Sequence, residues 1–156
     1  MGIGAAILQP NTKLTVYNKR FLHEDEIPFF VAGKEPGYLR YGEDKIGLAI
    51  CYEVFVKQHA SEAIANGTTI YLASVAKTKN GMERDYKSLS ELARSNSLTV
   101  LICNSVGEQD NFLAAGSSAA WNQHGTLIAN LGENEESILI LDTSTNTASV
   151  IKINPV

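Results

Sequence analysis

The chain has 156 residues, of which 44% are hydrophobic and 19% are charged, and its formal net charge is −4. This length suits a single domain over residues 1–156, and the composition is that of a soluble globular protein. The slightly negative charge predicts no nucleic-acid-binding face and no attraction to anionic lipid. No apolar run approaches the roughly 20 residues that span a membrane. We therefore expect a cytoplasmic protein that binds neither nucleic acids nor membranes.

The first half of the chain reads as short strands, one long connection and a helix. The long polar connection over residues 19–41 is of the kind that more often carries function than not. A helix is predicted from directly after Cys51 to Asn66-Gly67, where the glycine suits a helix C-cap. Strands are predicted over residues 3–8, 13–17 and 45–50.

The second half begins with the same alternation and then changes character. A helix is predicted over residues 82–97, with an apolar stripe along one side. Alternation of strands and helices predicts an α/β fold with neighbouring parallel strands and right-handed crossovers. After residue 114 short strands and tight turns replace the helices. Strands are predicted over residues 69–75, 98–103, 117–121, 126–130, 137–141 and 148–153.

Cys51 is the candidate nucleophile. It ends an apolar strand just before a predicted helix, at the edge where open α/β sheets usually place their chemistry. A helix N-terminus stabilises negative charge, so a thiol there would favour its thiolate form. Cys103 also ends an apolar run, and we interpret it as a buried small hydrophobic residue. Two cysteines make no disulfide scaffold, which favours a reducing compartment.

Amide hydrolysis by a thiol also needs a proton shuttle and a positive or N–H-donating group that faces the developing oxyanion. Lys19 can supply that positive group. The motif Tyr17-Asn18-Lys19-Arg20-Phe21-Leu22, followed 32 residues after Lys19 by Cys51 in Ile50-Cys51-Tyr52-Glu53, resembles the nitrilase, or carbon–nitrogen hydrolase, superfamily. Weaker matches follow in order at Asn66-Gly67, Asn104-Ser105-Val106-Gly107, Gly116-Ser117-Ser118, Trp121–Gly125 and Ser137–Asp142.

The resemblance implies a nitrilase-like fold, a four-layer α-β-β-α sandwich, and a Glu–Lys–Cys catalytic set. Cys51 would attack a carbonyl or nitrile carbon and form an acyl-enzyme. Lys19 and the backbone N–H of Tyr52 would stabilise the oxyanion. No metal and no organic cofactor would be needed. The substrate-binding residues that we predict are Tyr52, Glu53, Ser74 and Asn104.

The general-base glutamate of the family precedes the lysine motif, and this sequence has no glutamate before Lys19. We therefore expect an N-terminally truncated fold that is inactive as a hydrolase by itself. We also expect self-association into a homo-oligomer through uncovered strand edges and apolar faces. A second glutamate often assists in the family's pocket. Glu26, seven residues before Gly33, is the best match in this chain, and Glu24 is its rival.

The leading hypothesis is a carbon–nitrogen hydrolase that acts on a small amide through a cysteine acyl-enzyme. A non-catalytic module that serves as a folding or interaction partner is the alternative, and acyl transfer to an amine is a third. A metal site in His23-Glu24-Asp25-Glu26 is disfavoured against a solvated acidic loop, because helical ligand spacing is absent. Asn104 could bind substrate or cap a turn, and Glu53 could orient the pocket or favour its helix's first turn.

Overall fold

A computed structural model describes residues 1–134 and 136–153. They form two compact units, Met1–Ala73 and a second unit that begins at Ser74. Strands alternate with helices in the first hundred residues, and strands alone follow, so the predicted α/β class is confirmed. No helix in the described part of the chain is both long enough and apolar enough to cross a membrane.

The first unit contains two antiparallel hairpins, a 3₁₀ helix and one α-helix. In the first hairpin Ala5 lies opposite Tyr17. Strands β3 (Tyr38–Tyr41), β4 (Asp44–Ile50) and β5 (Ile70–Val75) are neighbours in one sheet, with β3 and β4 antiparallel. The elements are β1 (Gly4–Ile7), β2 (Thr15–Asn18), β3 (Tyr38–Tyr41), β4 (Asp44–Ile50), the 3₁₀ helix Cys51–Phe55, α1 (Lys57–Ala65) and β5 (Ile70–Val75), within which the second unit begins.

Strand β4 and helix α1 supply much of the core of this unit. Leu48 and Ala49 of β4 and Ala60 and Ala63 of α1 are buried. At Gly47 an added Cβ would lie 3.0 Å from the hydroxyl oxygen of Thr68, so the absence of a side chain lets the segment after α1 pack closely against the strand. This packing fixes the end of β4, where Cys51 follows.

The second unit contains a long helix and three neighbouring antiparallel strands, β6 (Thr99–Asn104), β9 (Ala119–Trp121) and β10 (Leu127–Asn130), in that order. Two further hairpins are β7 (Val106–Glu108) with β8 (Leu113–Ala115) and β11 (Ser137–Asp142) with β12 (Thr147–Lys152). The core includes Trp121, against which Tyr86 packs edge-to-face at 5.0 Å between ring centroids. The elements are α2 (Lys79–Asn96), β6 (Thr99–Asn104), β7 (Val106–Glu108), β8 (Leu113–Ala115), β9 (Ala119–Trp121), β10 (Leu127–Asn130), β11 (Ser137–Asp142) and β12 (Thr147–Lys152).

Candidate active site

Lys19 and Glu26 form an ion pair in the first unit. Lys19 directly follows β2 and is 1% exposed, and its Nζ lies 2.6 Å and 2.7 Å from the two carboxylate oxygens of Glu26. Glu26 Oε2 also accepts a hydrogen bond from the backbone N–H of His23 at 2.7 Å. A buried ammonium group is costly unless it is paired and hydrogen-bonded. Of the two acids weighed from the sequence, Glu26 is therefore the one that holds Lys19.

The connection after Lys19 closes back onto β2. The backbone N–H of Lys19 donates to the carbonyl of Ile3 at 2.7 Å, and the N–H of Gly33 donates to the carbonyl of Lys19 at 2.8 Å. A Cβ at Gly33 would lie 2.2 Å from the carbonyl oxygen of Asn18, so only glycine permits this approach. The loop that carries Glu26 is thereby anchored at both ends beside Lys19.

Replacing Glu26 with leucine is expected to lower the free energy of unfolding by about 3 kcal/mol, because it leaves the buried Lys19 ammonium without its partner. Lys19→Met is expected to cost less, because the Glu26 carboxylate is 22% exposed and stays partly hydrated. Urea unfolding measures both losses, with Glu24→Leu as an exposed acidic control. Equal losses in the two variants would contradict this account of the pair.

Cys51 has a strained backbone conformation. Its φ is 49°, in the left-handed region that residues other than glycine rarely adopt and that often marks functional sites. Its side chain is half-buried, and Cys51 is the first residue of the 3₁₀ helix. The prediction of a continuous helix directly after Cys51 is wrong, because Val56 is extended and α1 begins only at Lys57. The N-terminus of α1 therefore does not act on the thiol.

Cys103 is exposed, so the prediction that it is a buried hydrophobic residue is also wrong. It lies on β6, where Val100, Ile102 and Asn104 are buried while Leu101 and Cys103 are more accessible. Alternate residues of a strand face opposite sides, and the apolar run concealed this alternation. Both cysteines are free thiols. Cys103 is consequently an internal reference for the reactivity of Cys51.

Glu53 is fully buried and accepts hydrogen bonds from four donors. The backbone N–H groups of Arg20 and Phe21 donate to Oε1 at 2.6 Å and 3.1 Å. The backbone N–H of Ile50 donates to Oε2 at 2.8 Å. The hydroxyl of Tyr17 lies 2.8 Å from both oxygens. A carboxylate, which only accepts, suits this set of donors.

These donors belong to the two chain segments that carry the predicted catalytic residues. Arg20 directly follows Lys19, and Ile50 directly precedes Cys51. One carboxylate therefore joins the Lys19 segment to the Cys51 segment. Glu53 presents no exposed surface to a substrate, because its oxygens are occupied by groups of the protein.

Tyr52 lies at the surface beside an open groove. It is 40% exposed, and its ring packs edge-to-face against His23 at 5.1 Å between ring centroids. The groove has a volume of about 650 Å³, within the range of ligand pockets. Its lining includes residues next in the chain to Lys19, Glu26 and Cys51. The lining residues are Arg20, Phe21, Leu22, Ile27, Phe30, Val31, Ala32, Tyr52 and Val56.

Ser74 and Asn104 belong to the second unit, where Ser74 is exposed and Asn104 is buried. The amide of Asn104 accepts from the backbone N–H of Lys77 at 2.8 Å and donates to the carbonyls of Lys77 at 3.0 Å and Gly116 at 2.7 Å. It therefore ties together the turns around these two residues. The assignment of Ser74 and Asn104 to substrate binding stays a prediction.

His59 is a buried residue of this region that our sequence analysis missed. Its Nδ1 lies 2.6 Å from the hydroxyl of Tyr71 and its Nε2 lies 3.0 Å from the hydroxyl of Tyr17. Burial lowers the pKa of His59, although the nearby Glu53 acts in the opposite direction. Its only signal in the sequence was its spacing, three residues after Val56 and four before Ala63, which places it on the same side of a helix as these apolar residues.

The acidic loop at residues 23–26 forms hydrogen bonds of its own. His23 Nδ1 lies 2.8 Å from Asp25 Oδ1, and this hydrogen bond lowers the pKa of Asp25. Glu26 is engaged with Lys19. Within residues 1–134 and 136–153, no three histidine, cysteine, aspartate or glutamate side chains are grouped so that they could hold a metal ion.

Comparison with known proteins identifies a family. The carbon–nitrogen hydrolase family model matches residues 2–152. The chain is 28% identical over 149 residues to the glutamine-dependent NAD(+) synthetase of Thermotoga maritima, covering 88% of this chain and 25% of that protein.

Two solved structures share the fold. Glutamine-dependent NAD+ synthetase from Acinetobacter baumannii has a TM-score of 0.83 at 24% identity, over 99% of this chain and 31% of that one. An amidase of the nitrilase superfamily from Nesterenkonia AN1 has a TM-score of 0.77 at 24% identity, over 85% of this chain and 52% of that one. In a variant of that amidase, the acetamide moiety of fluoroacetamide is covalently added to the active-site cysteine.

The chain spans a quarter of the length of the curated relative, and less than a third and about half of the two solved chains. The structural matches confirm the nitrilase-like α/β fold that the Lys19 and Cys51 motifs predicted. With the family model matched over nearly all of its length, the chain belongs to the carbon–nitrogen hydrolase family.

Proposed function

We propose that this chain supplies the nucleophile and the oxyanion-stabilising cation of an amidase-type carbon–nitrogen hydrolase. The observation that carries this proposal is the joining of two segments by one carboxylate. Glu53 binds the backbone beside Lys19 and the backbone beside Cys51, and Glu26 holds the Lys19 ammonium. A cation fixed in relation to a strained cysteine is what attack on an amide requires.

In the proposed reaction, Cys51 Sγ bonds to the carbonyl carbon of the amide and the carbonyl oxygen becomes an oxyanion. Lys19 Nζ and the backbone N–H of Tyr52 stabilise that charge. When the tetrahedral intermediate collapses, the C–N bond breaks, the nitrogen takes up the proton that the Cys51 thiol gave up, and ammonia leaves. Water then adds to the thioester, which releases the carboxylic acid and restores the thiol.

Hydrolysis of the thioester needs a general base that takes a proton from the attacking water. The family pattern places that glutamate before the lysine motif, where this sequence has none. Glu26 is a poor substitute, because both of its oxygens accept from Lys19 and one also accepts from His23. We therefore assign Glu26 to orienting Lys19, and we expect acylation of Cys51 to be faster than hydrolysis of the acyl-enzyme.

A small aliphatic amide fits the groove beside Tyr52 better than glutamine does. The lining is largely apolar, and its charged member, Arg20, is paired with Glu62 at 2.6 Å. A zwitterionic amino acid would need free charges of both signs to replace its hydration. Glutamine remains the second candidate, because the curated relative is a glutamine-dependent enzyme. A homo-oligomeric state and a cytoplasmic location stay predictions.

The proposal is tested by incubating the chain with acetamide, propionamide, butyramide or glutamine while ammonia and intact protein mass are measured. We expect an aliphatic amide to release ammonia and add its acyl group to the protein. Release that stops near one equivalent per chain would support acylation with slow hydrolysis. If no amide yields ammonia or an adduct, the proposal fails, and the non-catalytic module is the better account.

A further inference from the structure

Four buried polar side chains of the first unit form a continuous chain of hydrogen bonds. Tyr71, His59, Tyr17 and Glu53 are all almost completely inaccessible to solvent. Tyr71 meets His59 Nδ1 at 2.6 Å, His59 Nε2 meets Tyr17 at 3.0 Å, and Tyr17 meets Glu53 at 2.8 Å. They come from β5, α1, β2 and the 3₁₀ helix, so the network links four elements.

The donors assign a direction to this network. Glu53 accepts from three backbone N–H groups, so the single hydroxyl hydrogen of Tyr17 is donated to it as well. Tyr17 Oη must then accept from His59 Nε2–H. His59 Nδ1 carries no hydrogen in that tautomer, so it accepts from the hydroxyl of Tyr71. Every donor thus points along the network towards Glu53.

We propose that Tyr17, His59 and Tyr71 are positioning residues, which fix the Glu53 carboxylate so that it holds the Lys19 and Cys51 segments together. This inference rests on the proposed function of those two residues. Tyr17 bonds to Glu53 directly, whereas His59 and Tyr71 act through Tyr17. A carboxylate whose partners are themselves fixed has one orientation, and a hydrogen-bond network of this kind specifies geometry more strongly than separate bonds do.

Glutamine at position 53 tests the need for a carboxylate with almost no change of shape. If its amide oxygen accepts from the Arg20 and Phe21 N–H groups, its NH₂ faces the Ile50 N–H. If it is turned around, the NH₂ faces the other two donors. Either orientation leaves two donors opposed in a buried site. Glu53→Gln is therefore expected to release one of the two segments.

The network also predicts a dependence of stability on pH. Burial keeps the pKa of His59 below its ordinary value of 6.5, with Arg20 acting in the same direction and Glu53 and Glu62 opposing. Below pH 6.5 the unfolded chain binds a proton that the folded chain does not, so the free energy of unfolding falls as pH falls through this range. His59→Gln should lose less stability than the unmodified chain between about pH 7.5 and about pH 5.5.

Nitrogen-15 NMR of the histidine side chains tests the network without reference to activity. We expect His59 at neutral pH to be the neutral tautomer with hydrogen on Nε2. The Nε2–H proton should also show magnetic coupling to the hydroxyl group of Tyr17. The Nδ1–H tautomer or a charged ring would overturn the assigned direction. The Tyr71→Phe variant should change the Nδ1 resonance, because its donor is removed.

Amide hydrogen exchange and fluoroacetamide labelling test the positioning role. Tyr17→Phe and Glu53→Gln should each speed exchange at Arg20 or at Ile50, according to which segment is released, by about tenfold, and should slow labelling of Cys51 by a similar factor. Tyr38→Phe is the matched control, because it removes a buried tyrosine hydroxyl that bonds to none of Tyr71, His59, Tyr17 and Glu53. Circular dichroism establishes that each variant is folded.

The outcomes separate this inference from the proposed function. Folded variants that exchange Arg20 and Ile50 amides as slowly as the control would overturn the positioning role. Faster exchange with unchanged labelling of Cys51 would show that the network has only a structural role, and would also overturn the positioning role. If the unmodified chain is never labelled, the proposed function fails, and the network has no catalytic role. Slow exchange at Arg20 and Ile50 and the Nε2–H tautomer of His59 would still establish the hydrogen bonds in that case.

Discussion

Fluoroacetamide is expected to modify Cys51 and to leave Cys103 unmodified. The Cys51 thiolate forms an S–C bond to the carbon that bears fluorine, the C–F bond breaks, and fluoride leaves. Fluoride is a poor leaving group, so an ordinary thiol reacts slowly and labelling reports an activated nucleophile held beside a cation. Exposure alone predicts the opposite order, because Cys103 is exposed and Cys51 is half-buried.

Serine variants make this expectation specific. Cys51→Ser should reduce labelling by at least about 100-fold, because a serine hydroxyl lacks the nucleophilicity of a thiolate. Cys103→Ser should leave the rate unchanged. Peptide mass spectrometry locates the adduct. Faster modification of Cys103, or full labelling in Cys51→Ser, would contradict the assignment of the nucleophile.

Lys19→Met is expected to slow acylation of Cys51 by an amide by about 10²- to 10³-fold, the usual loss when one oxyanion-stabilising group is removed. Methionine keeps much of the length of the side chain but removes the charge that would face the oxyanion. Without Lys19, the unpaired Glu26 carboxylate would leave a negative charge in the same region and oppose formation of the oxyanion. The rate is measured from the appearance of the acyl adduct with propionamide.

The control for this variant is Lys13→Met, which removes an exposed lysine from the same unit. It should acylate at the rate of the unmodified chain. Circular dichroism and urea unfolding establish whether Lys19→Met is folded at the temperature of the assay. A folded Lys19→Met that acylates as fast as the control would show that Lys19 does not stabilise the oxyanion.

The candidate reactive residues could be singled out from the sequence because their signals are local. Cys51 ends a continuous apolar run, and Lys19 directly follows a short strand within a recognisable motif. Glu26 follows from its place in the same loop, and the structure brings it to Lys19. The proximity of these residues in space depends on tertiary packing, which no local pattern encodes.

Glu53 and His59 show what the sequence does not reveal. Three of the four donors to Glu53 are backbone N–H groups, which every residue except proline possesses, so no residue pattern marks the site. His59 lies on a helix face that otherwise predicts apolar packing. Its partners Tyr17 and Tyr71 belong to strands separated from it in sequence, and neither is distinguished from an ordinary buried tyrosine.

The boundaries of several elements also escaped prediction. Strand β3 lies within the long connection, where its four residues were too few to stand out before the turn at Gly42. Helix α2 begins three residues earlier than predicted, because the side chain of Thr78 caps it by accepting from the N–H of Gly81 at 3.3 Å. The break at Val56 depends on an extended backbone conformation that the presence of a valine does not predict.

Location of the acyl group after reaction with propionamide tests the central claim most directly. The reaction is stopped with acid, the protein is digested, and peptide mass spectrometry identifies the modified residue. We predict one propionyl group per chain, on Cys51, removable by hydroxylamine as a thioester should be. A propionyl group on any other residue, or release of ammonia by Cys51→Ser at the rate of the unmodified chain, would contradict the claim that Cys51 is the nucleophile.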